Sequence, residues 1–328
     1  MTWNLCRLFR RDLLTYLMIA ALSGLAASGM AAQQLAGQKA SPDPRDVFAG
    51  ANQSTTFPFE WREGMIVLPL SVHGSKSFRF VLDSGSTRTL IDRAVAASLG
   101  LKTGEASSAQ GAGAGRVRLE AVHGVDLQLP GLESKGYDVY TADLAPLEQT
   151  LKTRVDGIVG YDLLARFAVT VDFAARQVTI ASPSAFHPDT RAEQIPLDIH
   201  GKWAFLRGEL VLPGPVTVQD NFFIDSGSSD AVDHPVVKTM QSRTASASGV
   251  GLGTPVEGAV ARALSFRLGS FVMQGPLVSC CGATEETSRM IGTEILRRFT
   301  VTFDYPSSQL FLLPNDALHE SFAASPSK

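Results

Sequence analysis

Phe78-Arg-Phe-Val-Leu-Asp-Ser-Gly-Ser86 and Asn221-Phe-Phe-Ile-Asp-Ser-Gly-Ser228 repeat one pattern, an apolar run that ends in Asp-Ser-Gly-Ser. Each copy is followed by a second motif. Gly160-Tyr-Asp-Leu-Leu-Ala-Arg-Phe-Ala-Val-Thr-Val-Asp172 aligns without a gap on Gly292-Thr-Glu-Ile-Leu-Arg-Arg-Phe-Thr-Val-Thr-Phe-Asp304. A repeat of this kind decides how the whole chain is parsed. Two similar lobes follow one another, and each delivers one carboxylate at the end of an apolar strand. Two carboxylates that meet across a lobe interface can share a proton, which is a catalytic device. Asp-Ser-Gly-Ser alone is an ordinary turn sequence. A surface turn, however, has no reason to recur in register with a second motif.

The 328 residues fit one or two domains. A formal charge of −3 argues against nucleic-acid binding through a basic surface. An apolar fraction of 45% with 29 glycines suits a strand-rich fold with many tight turns. Arg7, Arg10 and Arg11 precede an uncharged run from Leu13 to Ala27, with small residues around Gly29-Met-Ala31. Residues 1–31 therefore read as a signal peptide, which implies export to a periplasmic or extracellular space. The alternative, an uncleaved anchor, has a short apolar run for a bilayer span, so no stable membrane insertion is expected after cleavage. Residues 32–58 read as a flexible leader, the polar stretch from Gln33 to Thr56 lacking any sustained period. Cys280 and Cys281 are expected as free thiols in a buried strand, since neighbouring cysteines pair only with difficulty.

Met65–Val72 and Ser77–Leu82 form a hairpin whose second arm delivers Asp83. A short helix follows over Ile91–Leu99, closed by Gly100. Gln110-Gly-Ala-Gly-Ala-Gly115 reads as a hairpin tip, and Gly249–Pro255 as its counterpart in the second lobe. The short strands and frequent glycine turns indicate an all-β architecture. The lobes are expected at 59–185 and 186–316, joined through a linker at 182–198, with a polar tail at 317–328.

The twice-repeated pattern, apolar-apolar-Asp-Ser-Gly-Ser followed by apolar-apolar-Gly, resembles the aspartic proteases of the pepsin and retropepsin group over residues 60 to 314. The resemblance implies two retropepsin-like β-barrel lobes in one chain and a catalytic pair, Asp83 and Asp225. It implies that Ser84 and Ser226 bond across the interface, and that Ser86 and Ser228 donate to the outer oxygens of the aspartates. Gly85 and Gly227 would let the backbone approach the carboxyls. Gly160 and Gly292 would let the chain pass close behind each aspartate loop. Gly111, Gly113 and Gly115 would lie in a flap over the substrate. The pepsin branch has a tyrosine in that flap, whereas none occurs here between Ser84 and Gly136. No metal or organic cofactor is implied. The expected partner is a peptide or protein substrate, and the expected state a monomer, because one chain already holds both aspartates. The expected function is that of an exported aspartic endopeptidase. Its rivals are a non-catalytic peptide-binding module of the same fold and a hydrolase of non-peptide bonds.

Overall fold

The computed structural model describes residues 45–322, apart from 112, 215, 249–251, 253–255 and 282–287. The segment read as a signal peptide lies outside the described residues, as does most of the glycine-rich tip of the second lobe. Three sheets organise the rest, and the architecture is all-β, with two similar retropepsin-like lobes and few short helices.

In the first lobe, Gly157–Val159 inserts between the strand that delivers Asp83 and the strand that follows its turn. It pairs parallel with Phe78–Leu82 and antiparallel with Leu90–Asp92. The second lobe repeats this with Met290–Ile291 between Val216–Ile224 and Val232–Asp233. Each inserted strand supports one aspartate turn. The Asp83 N–H donates to the Val159 carbonyl at 2.9 Å and the Asp225 N–H to that of Ile291 at 3.0 Å. Met65–Val72 is buried on nearly every residue. Ile66, Leu68, Leu70 and Val72 join one apolar cluster and Met65 and Val67 another, so the strand reads as a continuous apolar run rather than an alternation.

A six-stranded sheet joins the lobes. Its central pair is the repeated motif paired with itself: Ala168–Asp172 runs antiparallel to Phe299–Asp304, with Thr170 opposite Thr302 and their hydroxyls 2.8 Å apart. Its edges correct two boundaries, and the sheet of the first lobe corrects a third. Ser54–Pro58, placed in the flexible leader, is an edge strand on Gln177–Ala181. Glu193–Pro196, placed in the linker, is the opposite edge, on Gln309–Pro314. Asp46–Phe48 pairs with Leu132–Ala142 as well. The polar tail is also folded as far as Phe322, which is buried.

The repeat explains why both ends of the described segment are held. Arg166 and Arg298 occupy the same place in the second motif. The Arg166 guanidinium pairs with the buried Asp46 carboxylate, which also accepts from the Ser134 hydroxyl at 2.6 Å. Arg298, fully buried, donates to the carbonyls of Ala317, Leu318 and Glu320 at 3.0, 3.2 and 2.6 Å and lies over the Phe322 ring. A buried guanidinium needs partners for its fork of donors. In each lobe a terminal segment supplies them.

Cys280 and Cys281 are joined to each other across a cis peptide, in place of the free thiols expected.

Candidate active site

The two Asp-Ser-Gly-Ser turns meet face to face between the lobes, bound by a reciprocal set of hydrogen bonds. The Ser84 hydroxyl donates to the Ile224 carbonyl at 2.8 Å and accepts from the Ser226 N–H at 2.9 Å. The Ser226 hydroxyl donates to the Leu82 carbonyl at 2.9 Å and accepts from the Ser84 N–H at 2.9 Å. Both serines are completely buried. Four satisfied bonds in a dry interface fix the spacing of the loops.

That spacing puts each carboxyl against the glycine of the other loop. A Cβ on Gly85 would stand 2.8 Å from Asp225 Oδ1, and one on Gly227 would stand 2.5 Å from Asp83 Oδ1. Neither glycine has positive φ, so both are required for space and not for backbone freedom. Gly160 lies against the carbonyls of Ser86 and Asp83, and Gly292 against those of Asp230 and Ser228. A side chain at either position would displace the aspartate loop.

The flanking serines act differently from the resemblance. The Ser86 hydroxyl donates to the Arg88 carbonyl at 2.7 Å, and it is the Ser86 N–H, with that of Gly85, that reaches Asp83 Oδ1, at 3.0 and 2.8 Å. The Ser228 hydroxyl accepts from the Asp230 N–H at 3.2 Å. Both hydroxyls therefore close their own turns. On the carboxyls, the backbone amides take the role assigned to them.

The carboxyls remain partly exposed, yet they sit in surroundings that penalise charge. Burial raises Asp83 above the usual carboxylate range, opposed by its hydrogen bond with Asp225 and by the N–H groups of Gly85 and Ser86. Burial raises Asp225 further, joined by the charge of Asp83 and opposed by the Gly227 N–H. Two carboxyls so placed hold one proton between them over a range of pH.

The tip carrying Gly111, Gly113 and Gly115 joins strands Ala106–Gln110 and Arg116–Leu129. The Gly113 N–H donates to the Leu252 carbonyl of the second lobe at 3.3 Å, and Gly111 has no room for a Cβ beside that carbonyl. Leu252 packs on an apolar cluster of the first lobe that includes Met65, Val67, Val81, Leu90 and Leu119. The two glycine-rich tips therefore touch.

Three residues near the dyad carried no sequence signal. Tyr305 is buried beneath the turns, and burial, with the charges of Asp225 and Asp83, pushes its phenol up. Asp230 and Asp233 follow Asp225 closely. Asp233 lies opposite Met290, as Leu90 lies opposite Ile158 in the first lobe. An acid thus replaces a leucine in a buried position, and its Oδ1 has no hydrogen-bond partner among the described residues. Burial first, then the charges of Asp230 and Asp225, hold Asp233 well above the usual range. A carboxyl raised on folding stabilises the fold least once pH exceeds its folded value, because the unfolded chain ionises more readily. Asp233→Leu should therefore stabilise the protein at neutral pH by about 1–3 kcal/mol. The gain should shrink as pH falls below the ordinary carboxylate value of about 4. Urea melts at both pH values check this; an equal or larger gain in acid would contradict the burial of a neutral acid there.

Two β lobes with facing aspartate turns are the arrangement that the resemblance to aspartic proteases implied. The sequence agrees: residues 68–163, which hold Asp83 and Gly160, match the family model described as aspartyl protease. Over this stretch the first lobe is similar to aspartyl proteases, which supports a protease-type function. No curated protein matches the chain.

Proposed function

We propose that the protein is an exported aspartic endopeptidase, active as a monomer, in which Asp83 and Asp225 activate one water between them. The observation that carries this reading is the reciprocal serine lock, which presses the two carboxyls together at a partly exposed position between the lobes. One ionised carboxyl takes a proton from water as its oxygen attacks the peptide carbonyl, and the other gives a proton to the carbonyl oxygen. The resulting diol collapses with release of the amine, and no covalent enzyme intermediate forms. An extended peptide would lie between the lobes under the paired tips, held by main-chain hydrogen bonds.

The test is incubation of the purified protein with casein and a soluble peptide library over a range of acidic pH, with new termini read by mass spectrometry. The rate should be bell-shaped in pH. Below the lower apparent pKa both carboxyls are protonated and the base is lost; above the upper one both are ionised and the acid is lost. Since burial raises both groups, the window should reach further toward neutrality than free carboxyls allow. Activity per molecule should be constant on dilution. Peptide binding without cleavage would make the protein a binding module instead. A rate still rising beyond neutral pH would exclude the carboxyl pair.

A further inference from the structure

The two walls that face each other across the lobe interface are built from matching positions but differ in chemistry. In the first lobe Met65, Val67, Val81, Leu90 and Ile158 belong to one apolar cluster. Leu252 of the second lobe packs on it, so this face of the sheet looks toward the other lobe. Strand pairing gives the counterpart of each position. Val67 lies opposite Val81 as Phe205 lies opposite Phe223, and Met65 opposite Arg62 as Trp203 opposite His200. Ile158 lies beside Val81 and opposite Leu90, as Met290 lies beside Phe223 and opposite Asp233. The second wall is therefore Trp203, Phe205, Phe223, Met290 and Asp233. It too faces the other lobe, since the Trp203 indole N–H reaches the Gly85 carbonyl at 3.0 Å.

Three rings and an acid thus stand where the first wall has Met65, Val67, Val81 and Leu90. The centroid of the Phe223 ring lies 5.8 Å from those of Trp203 and Phe205 alike. Asp233 is only 4% exposed, and its Oδ1 has no hydrogen-bond partner among the described residues. An unmet buried acceptor on such a wall is a place for a donor that arrives with the substrate. Asp230, the fifth residue after Asp225, adds a carboxyl whose charge reaches both Asp225 and Asp233. The fifth residue after Asp83 is Arg88, stacked over the Tyr140 ring at 4.3 Å. Matching places in the two loops therefore carry opposite charge. Among the described residues, no basic side chain pairs with Asp230 or Asp233: His234 and Arg289 turn instead to Asp220, at 3.4 and 2.8 Å. Nor do the described residues bring together three side chains that could hold a metal ion.

Building on the endopeptidase reading above, we propose that the second-lobe wall is a subsite for a cationic side chain, lysine or arginine, next to the bond to be cleaved. Asp233 and Asp230 are its anions, and Trp203, Phe205 and Phe223 its lining. The first wall takes an aliphatic side chain on the other side of the same bond. Aromatic faces attract a cation and cover its methylene stem. Without a substrate, burial and the charges of Asp230 and Asp225 hold Asp233 well above the usual carboxylate range. An ammonium group beside it favours the ionised form, so its proton passes to solvent as the ion pair forms. The opposite charges of Arg88 and Asp230 also fix the direction in which a peptide lies between two otherwise similar lobes.

Cleavage and binding test this separately, on blocked octapeptides that carry lysine or norleucine at each position in turn. Cuts read by mass spectrometry should place lysine at one fixed position flanking the cut, and there it should exceed norleucine in kcat/KM by about 30-fold. Asp233→Leu should reverse the order of the two peptides, the lysine one falling and the norleucine one rising. Asp233→Asn, which keeps the shape of the acid, should lower the ratio by about tenfold. Asp230→Asn, at a more exposed carboxyl, should lower it by about threefold. A ratio between two peptides does not move when a variant merely loosens the fold. The second readout is calorimetry on Asp83→Asn, which keeps the second wall intact. It should bind the best lysine peptide about 30-fold more tightly than its norleucine twin, with release of a proton. Norleucine equal or preferred, lysine at no fixed position, or a lysine preference that survives both Asp233 variants would overturn the subsite. A wild type that cuts no peptide, while the lysine set is still bound preferentially, would sink the endopeptidase reading and leave the subsite standing.

Discussion

Asp83→Asn and Asp225→Asn should each lower kcat by roughly 10⁴-fold or more while the protein stays folded. An amide is cleaved by this device only when one group removes a proton from water and another supplies one to the carbonyl oxygen. Asparagine has the shape of the acid, and its carbonyl oxygen can still accept the N–H bonds that Gly85, Ser86 and Gly227 make to the aspartates. It cannot exchange a proton at working pH. The serine lock lies one residue further on and does not involve the carboxyls, so thermal melts should move little, or upward, since a crowded pair of acids has been relieved. Circular dichroism with kcat on one soluble peptide reads both effects. Near-normal turnover in either variant would mean that the pair is not the catalyst.

Gly227→Ala should lower kcat/KM by about 10²-fold, the scale expected when a reacting group is displaced by an ångström. The new methyl would meet the carboxyl of Asp83. That carboxyl cannot retreat without leaving the N–H groups of Gly85 and Ser86. The backbone at Gly227 is not left-handed, so alanine brings no φ strain, and the stability cost should stay near the 1–3 kcal/mol typical of overpacking. Gly74→Ala is the useful contrast: it has positive φ and open space around its Cβ position. It should reduce stability somewhat and leave kcat/KM alone. If Gly227→Ala keeps full activity at wild-type stability, the loops are not held as tightly as the serine bonds imply.

The repeat made the two lobes, both aspartate turns and the glycines behind them legible before any coordinates, because each depends on a local pattern. An apolar strand must end where a polar turn begins, and a close approach of backbone admits only glycine. The serine lock was legible through resemblance and holds in detail. The flanking serines were not, because a hydroxyl and an N–H on the same residue compete for the same neighbours and only the turn's dihedrals decide between them. Nor did the sequence mark the terminal segments as folded. Asp46–Phe48 and Ser54–Pro58 are too short and too polar to show a period, and they are strands only because a sheet edge and the Arg166 guanidinium await them.

The contact that distinguishes the two aspartate loops, from the Trp203 indole to the Gly85 carbonyl, belongs wholly to tertiary structure. By sequence the loops of Asp83 and Asp225 are the same four residues, with the same intrinsic acidity. Trp203 lies 120 residues from Asp83 and reaches its loop only because the hairpin of one lobe leans on the turn of the other. Sequence alone determined that two carboxylates would be presented on matching turns, since strand, turn and glycine are local choices. How the two turns would be locked against each other depended on hydrogen bonds between the lobes, and bonds of that kind exist only after the lobes have docked.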